Sequence, residues 1–522
     1  MTGPRLTTNN ENSFITRLLN MLTNNVVTII FIAFVIAGFL ASPAISTSGL
    51  VNEVMSRFFR NGLLVVALII PVMAGLGLNF GIVVGAIAAI LAIIPVRYIA
   101  TVEYESMSAF TAFFYNSFLQ FGGVGGLILT FIIALPLALL FGYLTGKLYN
   151  RTRGQEMIAG IIVSFFAEGL LLLFVLFVVG GIIPVAAEHP MIIPSAVDGV
   201  QVPGVGIRMA FEMGLHPTHP IAARDPYHVA GLANALDFIW QIEFLIGFLI
   251  LSIGMLAFVI IRRILANRNP LIKKPSKVVF GIRCAIGGFF TLLALHGLFL
   301  PTGIIFHIGN GAFSLIIPAS PLVDVNQIPV VTGLVIAAVC LFTFYFSRTK
   351  LGQDCRSVGQ SQPIANAAGI NVDKTRIIAT MISTVLGAFG MIVFLQNMGH
   401  VNTYTAHRQI GMFSVAALLV GGATTSKASI RNAMFGLLLF HAMFVVSPGV
   451  GRLIFGNELV AEALRTFMVY GVIALALGLH VWKTAKAIRD KNKLPPPSDD
   501  SDDEQQSAQI PEADSANTTS TS

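Results

Sequence analysis

The chain has 522 residues, of which 55% are hydrophobic and 11% are charged, and its formal net charge is +7. This composition, with a mean hydropathy of +0.80, predicts an integral membrane protein rather than a soluble domain. Stretches such as EGLLLLFVLFVVGGII (168–183) lack the alternation of a barrel strand, so the sequence predicts an all-α, polytopic transmembrane helical bundle. No nucleic-acid-binding motif accompanies the positive charge, which is assigned to loops that contact anionic lipid.

About twelve hydrophobic segments follow one another along the chain, many of them near the 20 residues that cross a bilayer. Pro71 and GLGLNFG (75–81) separate the second from the third and predict a discontinuous early helix, so a count of about ten is also open. The segments lie near 26–41, 62–78, 79–96, 118–146, 157–184, 240–262, 279–300, 328–347, 377–397, 410–422, 432–447 and 463–482.

Lys and Arg concentrate in five places that the predicted spans put on one side of the membrane, together with both termini. By the positive-inside rule this side is cytoplasmic. The predicted organisation is an N-terminal arm (1–25), a transmembrane domain (26–482) and an acidic tail (483–522) whose last 29 residues carry seven acidic groups and no basic one. The basic clusters are Lys147 to Arg153, Arg262 to Lys277, Arg348 to Arg376, Lys427 with Arg431, and Lys483 to Lys493.

Motifs of catalysis do not stand out in the sequence. GYLTGKL (142–148) has too few residues between its glycines for a phosphate loop, and Leu148 stands where Ser or Thr is required. The glycines of GLGLNFG and of GIVVG (81–85) are assigned to close helix packing. Cys284, Cys340 and Cys355 lack metal-ligand spacing. The sequence therefore predicts a non-catalytic chain with neither cofactor nor metal.

Polar side chains inside the spans are the candidates for a solute path, because unpaired polar groups in hydrocarbon are costly. Asn79, Glu168, Gln396 and Asn397 are predicted to line it, while a local hydrogen-bonding or ion-pair role for Glu168 remains open. His296 and His441 are assigned to interior or interfacial positions. One buried carboxylate is few for an ion-coupled carrier, so energy is expected to come from another source.

The segment GQDCRSVGQSQPIANAAGI (352–370) lies on the predicted cytoplasmic side between two apolar segments. Ser361 and Pro363 predict the start of a short helix, and Gly369 predicts its left-handed end. Gly352 and Gly359 are expected to allow sharp turns before it. Ile364, Ala367 and Ala368 fall at helical spacing and form a small apolar face. Either a partner docks on this face, or the helix lies against its own bundle.

The sequence TKLGQDCRSVGQSQPIANAAGINVDKTRIIATMISTVLGAFGMI (349–392) resembles the coupling loop and following span of ABC importer permeases of the ribose, simple-sugar, nucleoside and branched-chain amino-acid branch. The stretches at 71–90, 153–170 and 415–440 are also similar to this family, whereas Thr424, Thr425 and Ser426 depart from its glycine-rich turn. The matched loop residues are Gly352, Arg356, Ser357, Val358, Gly359, Ala367, Ala368, Gly369 and Ile370.

The resemblance implies that separate ABC ATPase subunits bind a cytoplasmic coupling loop (348–376), and that a second permease subunit, identical or paralogous, completes the path. An extracytoplasmic solute-binding protein would deliver the solute at a bacterial inner membrane. The implied ATPase-coupling residues are Gly352, Arg356, Gly359, Ile364, Ala367, Ala368 and Gly369. An ion-coupled secondary carrier, a membrane-embedded enzyme, and an ABC permease for riboflavin, purine or amino acid remain alternatives.

Two expectations concern what the protein carries and what delivers it. No basic cluster is found within the predicted spans, so a polar but uncharged solute is expected, a sugar or a nucleoside. The loop at about 185–239 is longer than a simple connection, which predicts a folded cap or a docking surface, although an insertion without a partner is equally open. Within it, VAGLANALDFI (229–239) is expected to form a short amphipathic helix at the interface.

Overall fold

The computed structural model describes residues 26–41, 46–103, 105, 107–179, 182, 191, 195–197, 200–202, 210–212, 232–268, 276–299, 304–308, 313–317, 322, 324–325, 327–402 and 406–491. The chain divides into two compact units, Met1–Ala476 and Leu477–Ser522. The packing, cavities and contacts below all belong to the first unit.

Helices account for most of the described chain. The predicted all-α bundle is confirmed, and each predicted hydrophobic segment contains a helix. The helices are α1 (Val26–Ala41), α2 (Thr47–Ala67), α3 (Ile69–Met73), α4 (Ile82–Thr101), α5 (Ala109–Ser117), α6 (Gly123–Arg151), α7 (Glu156–Leu173), α8 (Phe244–Arg268), α9 (Lys277–Phe299), α10 (Val330–Phe346), α11 (Lys350–Gln360), α12 (Gln362–Ala367), α13 (Val372–Met398), α14 (Ala406–Val420), α15 (Ile430–Phe455) and α16 (Glu458–Lys491).

Eight of the described helices, with α2 and α3 counted as one, are long and apolar enough to cross a membrane. In addition, α10 and α11 form a pair bent by 73°, and α1 and α14 contain shorter apolar stretches. The eight spans are Thr47–Met73, Ile82–Thr101, Gly123–Arg151, Glu156–Val178, Phe244–Arg268, Lys277–Phe299, Val372–Met398 and Ile430–Phe455. The chain is therefore a multi-pass membrane protein.

The centre of the bundle is α13, which packs against α2, α4 and α6, while α15 packs against α1, α2 and α14. Small residues let these helices approach closely. A Cβ on Gly85 would lie 2.4 Å from the Thr384 carbonyl oxygen, and one on Gly142 would lie 2.8 Å from Met381 Cα. Packing without side chains between them is a common way for helices to associate in lipid. The assignment to helix packing is confirmed for Gly85 of GIVVG, whereas Gly75 and Gly77 of GLGLNFG lie at positive φ outside the helices.

The predicted break in the early helix lies between α3 and α4. Residues 74–81 leave the helical path, with Gly75 and Gly77 at φ +73° and +69°. The two flanking segments are each long enough to span on their own, so the break separates two helices rather than dividing one span. The first of them starts at Thr47, well before the predicted boundary at 62.

Eight short strands form four antiparallel pairs among the described residues. One pair, β3 with β8, joins the long loop to the C-terminal end of α13. The strands are β1 (Ser195–Val197), β2 (Val200–Val202), β3 (Ala210–Glu212), β4 (Gln241–Ile242), β5 (Ile304–Ile308), β6 (Phe313–Ile317), β7 (Ile328–Pro329) and β8 (His400–Asn402), paired β1 with β2, β3 with β8, β4 with β7, and β5 with β6.

The amphipathic helix predicted at 229–239 is wrong over residues 232–239, which form consecutive turns. Asn234 has φ +51°, and its N–H donates to the Gln396 carbonyl oxygen over 2.7 Å. Because this bond fixes the segment onto the end of α13, Leu232 and Ala235 are buried instead of lying at an interface.

Both predicted terminal segments fall largely outside the described residues, which begin at 26 and end at 491. The last helix, α16, continues to Lys491, nine residues beyond the predicted end of the transmembrane domain at 482. The acidic segment of the tail lies outside the described residues.

Candidate functional site

The segment after α10 folds into two short helices, each started by a side-chain cap. The Thr349 hydroxyl accepts a hydrogen bond from Gly352 N over 3.2 Å and starts α11. Ser361 caps α12 in the same way through Ile364 N, and Pro363 lies in the first turn. Gly369 follows at φ +80°, a conformation that favours glycine. The short helix predicted from Ser361 to Gly369 is therefore present.

The two faces of the α11 and α12 pair differ. Cys355, Val358 and Ala365 are buried against the bundle. On the opposite side Ile364 is 72% exposed. Arg356, Ala367 and Ala368 are also exposed. The apolar face thus points away from the chain's own core, which favours docking of a partner over packing against the bundle. We call the face formed by Arg356, Ile364, Ala367 and Ala368 the α11–α12 surface.

The prediction that Gly352 and Gly359 form turns is wrong, because both lie inside α11. A Cβ on Gly352 would lie 2.0 Å from the Phe346 carbonyl oxygen, and one on Gly359 would lie 2.3 Å from the Met73 carbonyl oxygen. These glycines allow backbone to approach backbone. Through Gly359, α11 lies directly against the break after α3.

Two ion pairs connect the start of α13, just after the α11–α12 surface, to the start of α7 and the segment just before it. The fully buried Arg376 guanidinium pairs with Glu156 at the start of α7 and donates to the Tyr149 carbonyl oxygen over 3.2 Å. Nearby, Arg153 pairs with Asp373 at the surface. Arg376 belongs to the predicted cytoplasmic cluster Arg348 to Arg376, and the structure buries it among the helices.

Of the predicted path residues, Asn79 lies at the helix break. Its Oδ1 accepts from the Tyr149 hydroxyl over 2.8 Å, and its Nδ2 donates to Ser383 Oγ over 3.1 Å. Ser383 in turn donates to the Ala67 carbonyl oxygen over 2.9 Å. All these side chains are buried. The network joins α2, α6 and α13 to the segment between α3 and α4.

Glu168 lies on α7, where it is 6% exposed. Its Oε2 is 3.8 Å from Nε2 of the fully buried His407 at the start of α14. This geometry matches the local ion-pair role that the sequence left open.

Gln396 and Asn397 lie side by side at the end of α13 but point to different partners. Gln396 Oε1 accepts from Leu236 N over 3.3 Å and so helps to fix the buried turns. Asn397 Oδ1 accepts from Arg60 Nε, and Asn397 Nδ2 donates to Asp237 Oδ2, each over 2.7 Å. Thr332 on α10 also donates to Asp237. Asn397 thus bridges a cation on α2 and an anion in the long loop.

Two cavities are lined by α2, near the hydrogen bond between Asn397 and Arg60. The first, of about 340 Å³, contains Asn397 and Asp237 and is called the Asp237 cavity. The second, of about 330 Å³, contains Arg60 and is called the Arg60 cavity. It is lined by Arg57, Arg60, Asn61, Phe394, Met398, Ile410, Phe413, His441, Phe444, Glu462, Arg465, Thr466, Val469 and Tyr470.

The Arg60 cavity contradicts the expectation that no basic cluster stands within the spans. Arg57 and Arg465 both lie over the Phe444 ring, at 4.6 and 4.5 Å from its centroid, and Arg60 lies 5.8 Å from the Phe394 centroid. The predicted span began at 62, after the two arginines of α2, whereas the helix starts at Thr47. The spacing NEVMSRFFR (52–60), with Glu53 and Arg57 four residues apart, was the signal available in the sequence.

The described chain is thus a polytopic helical bundle with polar cavities between its helices and an exposed pair of short helices. Residues 229–477 match the family described as "Branched-chain amino acid transport system / permease component". Together with the relatives below, this match shows that the chain is similar to ABC transporter permeases.

Three curated relatives of the chain are named as ABC transporter permease proteins. The chain is 30% identical over 163 residues (31% of the chain, 48% of the relative) to the probable ABC transporter permease protein YphD of Escherichia coli. It is 27% identical over 123 residues (23% and 32%) and 29% identical over 159 residues (30% and 47%) to the nucleoside ABC transporter permease proteins NupB and NupC of Lactococcus lactis. The match spans less than half of each relative. No solved structure matches.

Proposed function

We propose that this chain is the permease subunit of an ABC-type importer for a small polar solute of the sugar or nucleoside type. The observation that carries the proposal is the α11–α12 surface, where Ile364 is 72% exposed on helices whose other face is packed into the bundle. An apolar side chain held outward on an ordered helix suits a docking site for another protein. The relatives named as nucleoside permeases support the solute class.

The partners proposed are separate ATPase subunits at the α11–α12 surface, a second permease subunit, an extracytoplasmic binding protein and the surrounding lipid of a bacterial inner membrane. With α11 facing the cytoplasm, both termini are cytoplasmic and the long loop is outside. Gly352, Gly359 and Gly369 then act by shaping the surface, while Arg356, Ile364, Ala367 and Ala368 touch the ATPase.

For the path we propose unequal roles for the four polar residues. Asn397 borders the Asp237 cavity and hydrogen-bonds to Arg60 of the other cavity, so it is the best placed to meet solute. Asn79 and Gln396 are engaged in buried bonds between helices and set the position of the walls. Glu168 acts with His407.

The coupling role is tested with Ile364→Glu, which places a charge on the docking face, and Val278→Glu as matched control. Val278 is 71% exposed near the start of α9, on the same predicted side of the membrane. We expect Ile364→Glu to lose copurification with the ATPase and ATP-dependent uptake of ribose or uridine, and Val278→Glu to retain both. Full retention of both activities by Ile364→Glu would overturn the proposal.

A further inference from the structure

The Arg60 cavity has a positively charged lining. Its lining contains three arginines, Arg57, Arg60 and Arg465, and one carboxylate, Glu462, while Glu53 pairs with Arg57 from outside the lining. Arg57 and Arg60 lie within the span Thr47–Met73, where charged side chains are costly, and Arg465 on α16 lines the same cavity. Such a cluster of guanidinium groups indicates a binding site for an anion. A neutral sugar would need hydrogen-bonding groups but no excess of positive charge.

Arg60 differs from its two neighbours in its partners. Arg57 pairs with Glu53 over 2.7 Å, and Arg465 pairs with Glu462 over 3.0 Å. Among the described residues, Arg60 hydrogen-bonds only to neutral groups, Asn397 Oδ1 and Ser56 Oγ. The carboxylate of Asp237 belongs to the same network but is reached through Asn397. Arg60 is therefore the guanidinium best able to accept an external anion.

A buried nitrogen in the same cavity lacks a partner. His441 is 1% exposed and lines the cavity, and its Nδ1 has no hydrogen-bond partner among the described residues. A buried polar atom without a partner is unfavourable relative to a paired one. A polar group of a bound ligand would supply the missing bond.

Flat surfaces complete the lining. The guanidinium groups of Arg57 and Arg465 each lie over the Phe444 ring, and Phe413 meets that ring edge on at a centroid distance of 5.2 Å. Arginine planes and aromatic faces both stack on planar unsaturated rings. The volume of about 330 Å³ falls within the range of small-molecule sites.

We propose that the Arg60 cavity binds a small organic anion, a carboxylate or phosphate attached to a planar ring, with Arg60 holding the anionic group. This refines the solute class given under the proposed function and rests on that function only for the statement that the ligand is the transported solute. Bidentate contact with an anionic oxygen pair is the geometry that a guanidinium provides and a neutral donor does not.

The test measures binding of uridine 5′-monophosphate and of uridine to the full-length chain, purified without ATPase. The two probes share ring and sugar and differ by the phosphate. We expect uridine 5′-monophosphate to bind at least about tenfold more tightly, and Arg60→Gln to remove most of that difference. Arg283→Gln, an exposed arginine on α9, is the matched control and should leave both affinities unchanged. Equal binding of the two probes, binding of neither, or an unaltered Arg60→Gln would overturn the proposal.

Two further arms keep the result interpretable. If Arg60→Gln does not fold, Arg465→Gln takes its place, since Arg465 is 25% exposed and its partner Glu462 is 58% exposed. Repeating the measurement in nanodiscs with and without phosphatidylglycerol distinguishes a solute site from a lipid headgroup site. Displacement of the nucleotide by phosphatidylglycerol would overturn the solute assignment. Because no ATPase is present, failure here leaves the coupling proposal untouched.

Discussion

Gly359 in α11 lies against the carbonyl oxygen of Met73, so closely that a Cβ at position 359 would be 2.3 Å from that oxygen. Because this oxygen belongs to the backbone, it cannot move away by a change of side-chain rotamer. The packing of the α11–α12 surface on the helix break therefore depends on the absence of one methyl group.

Gly359→Ala is expected to lower the free energy of unfolding by about 1 to 3 kcal/mol through overpacking. Thermal unfolding of the purified chain measures this. Gly254→Ala is the control, because a Cβ there meets nothing within 4 Å. A Gly359→Ala protein as stable as Gly254→Ala would contradict the packing described. Since Gly359 is a packing residue, Arg356→Glu, at an exposed position, is the cleaner variant for loss of ATP-driven uptake in a folded protein.

The buried pair of Arg376 and Glu156 should matter far more than the exposed pair of Arg153 and Asp373. Arg376→Ala leaves an uncompensated carboxylate near the interior and is expected to destabilise the chain by about 3 to 5 kcal/mol. Arg153→Ala removes a pair whose side chains are 50% and 56% exposed, and is expected to change stability by less than about 1 kcal/mol. Similar losses in the two variants, measured by chemical unfolding, would refute this ranking.

Removing one hydroxyl tests the network at the helix break. Tyr149→Phe leaves Oδ1 of the buried Asn79 without its donor and is expected to destabilise the chain by about 1 to 3 kcal/mol. Tyr143→Phe on the same helix is the control, because Tyr143 is 38% exposed. Unfolding temperatures of the two variants should differ by several degrees. Identical temperatures would mean that the bond contributes nothing to stability.

The thiol of Cys355 reports on how tightly α11 is seated. Burial, with a smaller contribution from Asp354, raises the pKa of Cys355 to about 12, and the residue is fully buried. In a background with Ser at 284 and 340, maleimide at pH 8 should therefore leave Cys355 unlabelled, whereas Ala368→Cys on the exposed face should react readily. Rapid labelling of Cys355 in the folded chain would show that α11 is loosely held.

The same shift predicts a stability change with pH. Below about pH 8.5 the thiol is protonated in both folded and unfolded chains, so it contributes no pH dependence. Above that pH the unfolded chain loses the proton first, because the folded-state pKa is higher, and stability falls as pH rises toward about 12. Cys355→Ala should reduce this alkaline loss relative to the parent chain in unfolding measurements between pH 8 and 10.

The sequence predicted those parts of the molecule that depend on local rules. Apolar length located the helices, and the cap at Ser361 with Gly369 located α12. Gly352 and Gly359 were wrongly predicted to be turn residues. The sequence alone does not tell a glycine required for positive φ from a glycine required for close backbone contact. What distinguishes them is the backbone that each glycine contacts, at Phe346 for Gly352 and at Met73 on a distant segment for Gly359.

The polar sites were predicted less well, for a related reason. Asn79 and Asn397 were found by their unusual positions in apolar segments, but their partners Tyr149, Arg60 and Asp237 come from elsewhere in the chain. The arginine cluster was missed because a hydropathy boundary at 62 excluded the polar first turns of α2. Residues of α15 and α16 line the same cavity as these turns, and hydropathy along the sequence does not reveal such contacts between distant segments.

The contact of Gly359 with Met73 connects α11, through α3 and α2, to the Arg60 cavity. Arg60 on α2 and Met73 on α3 are 13 positions apart, or about 20 Å at 1.5 Å per residue, with the turn at Leu68 between the two helices. Near one end of this helical pair, the Arg60 guanidinium borders the Arg60 cavity. At the other end, Gly359 of α11 contacts the backbone of the last turn of α3, with no side chain between them. A displacement of α11 toward the bundle would therefore be absorbed at residues 74–81 or at Leu68, where α2 ends and α3 begins, or would reach Arg60 as a joint shift of the two helices.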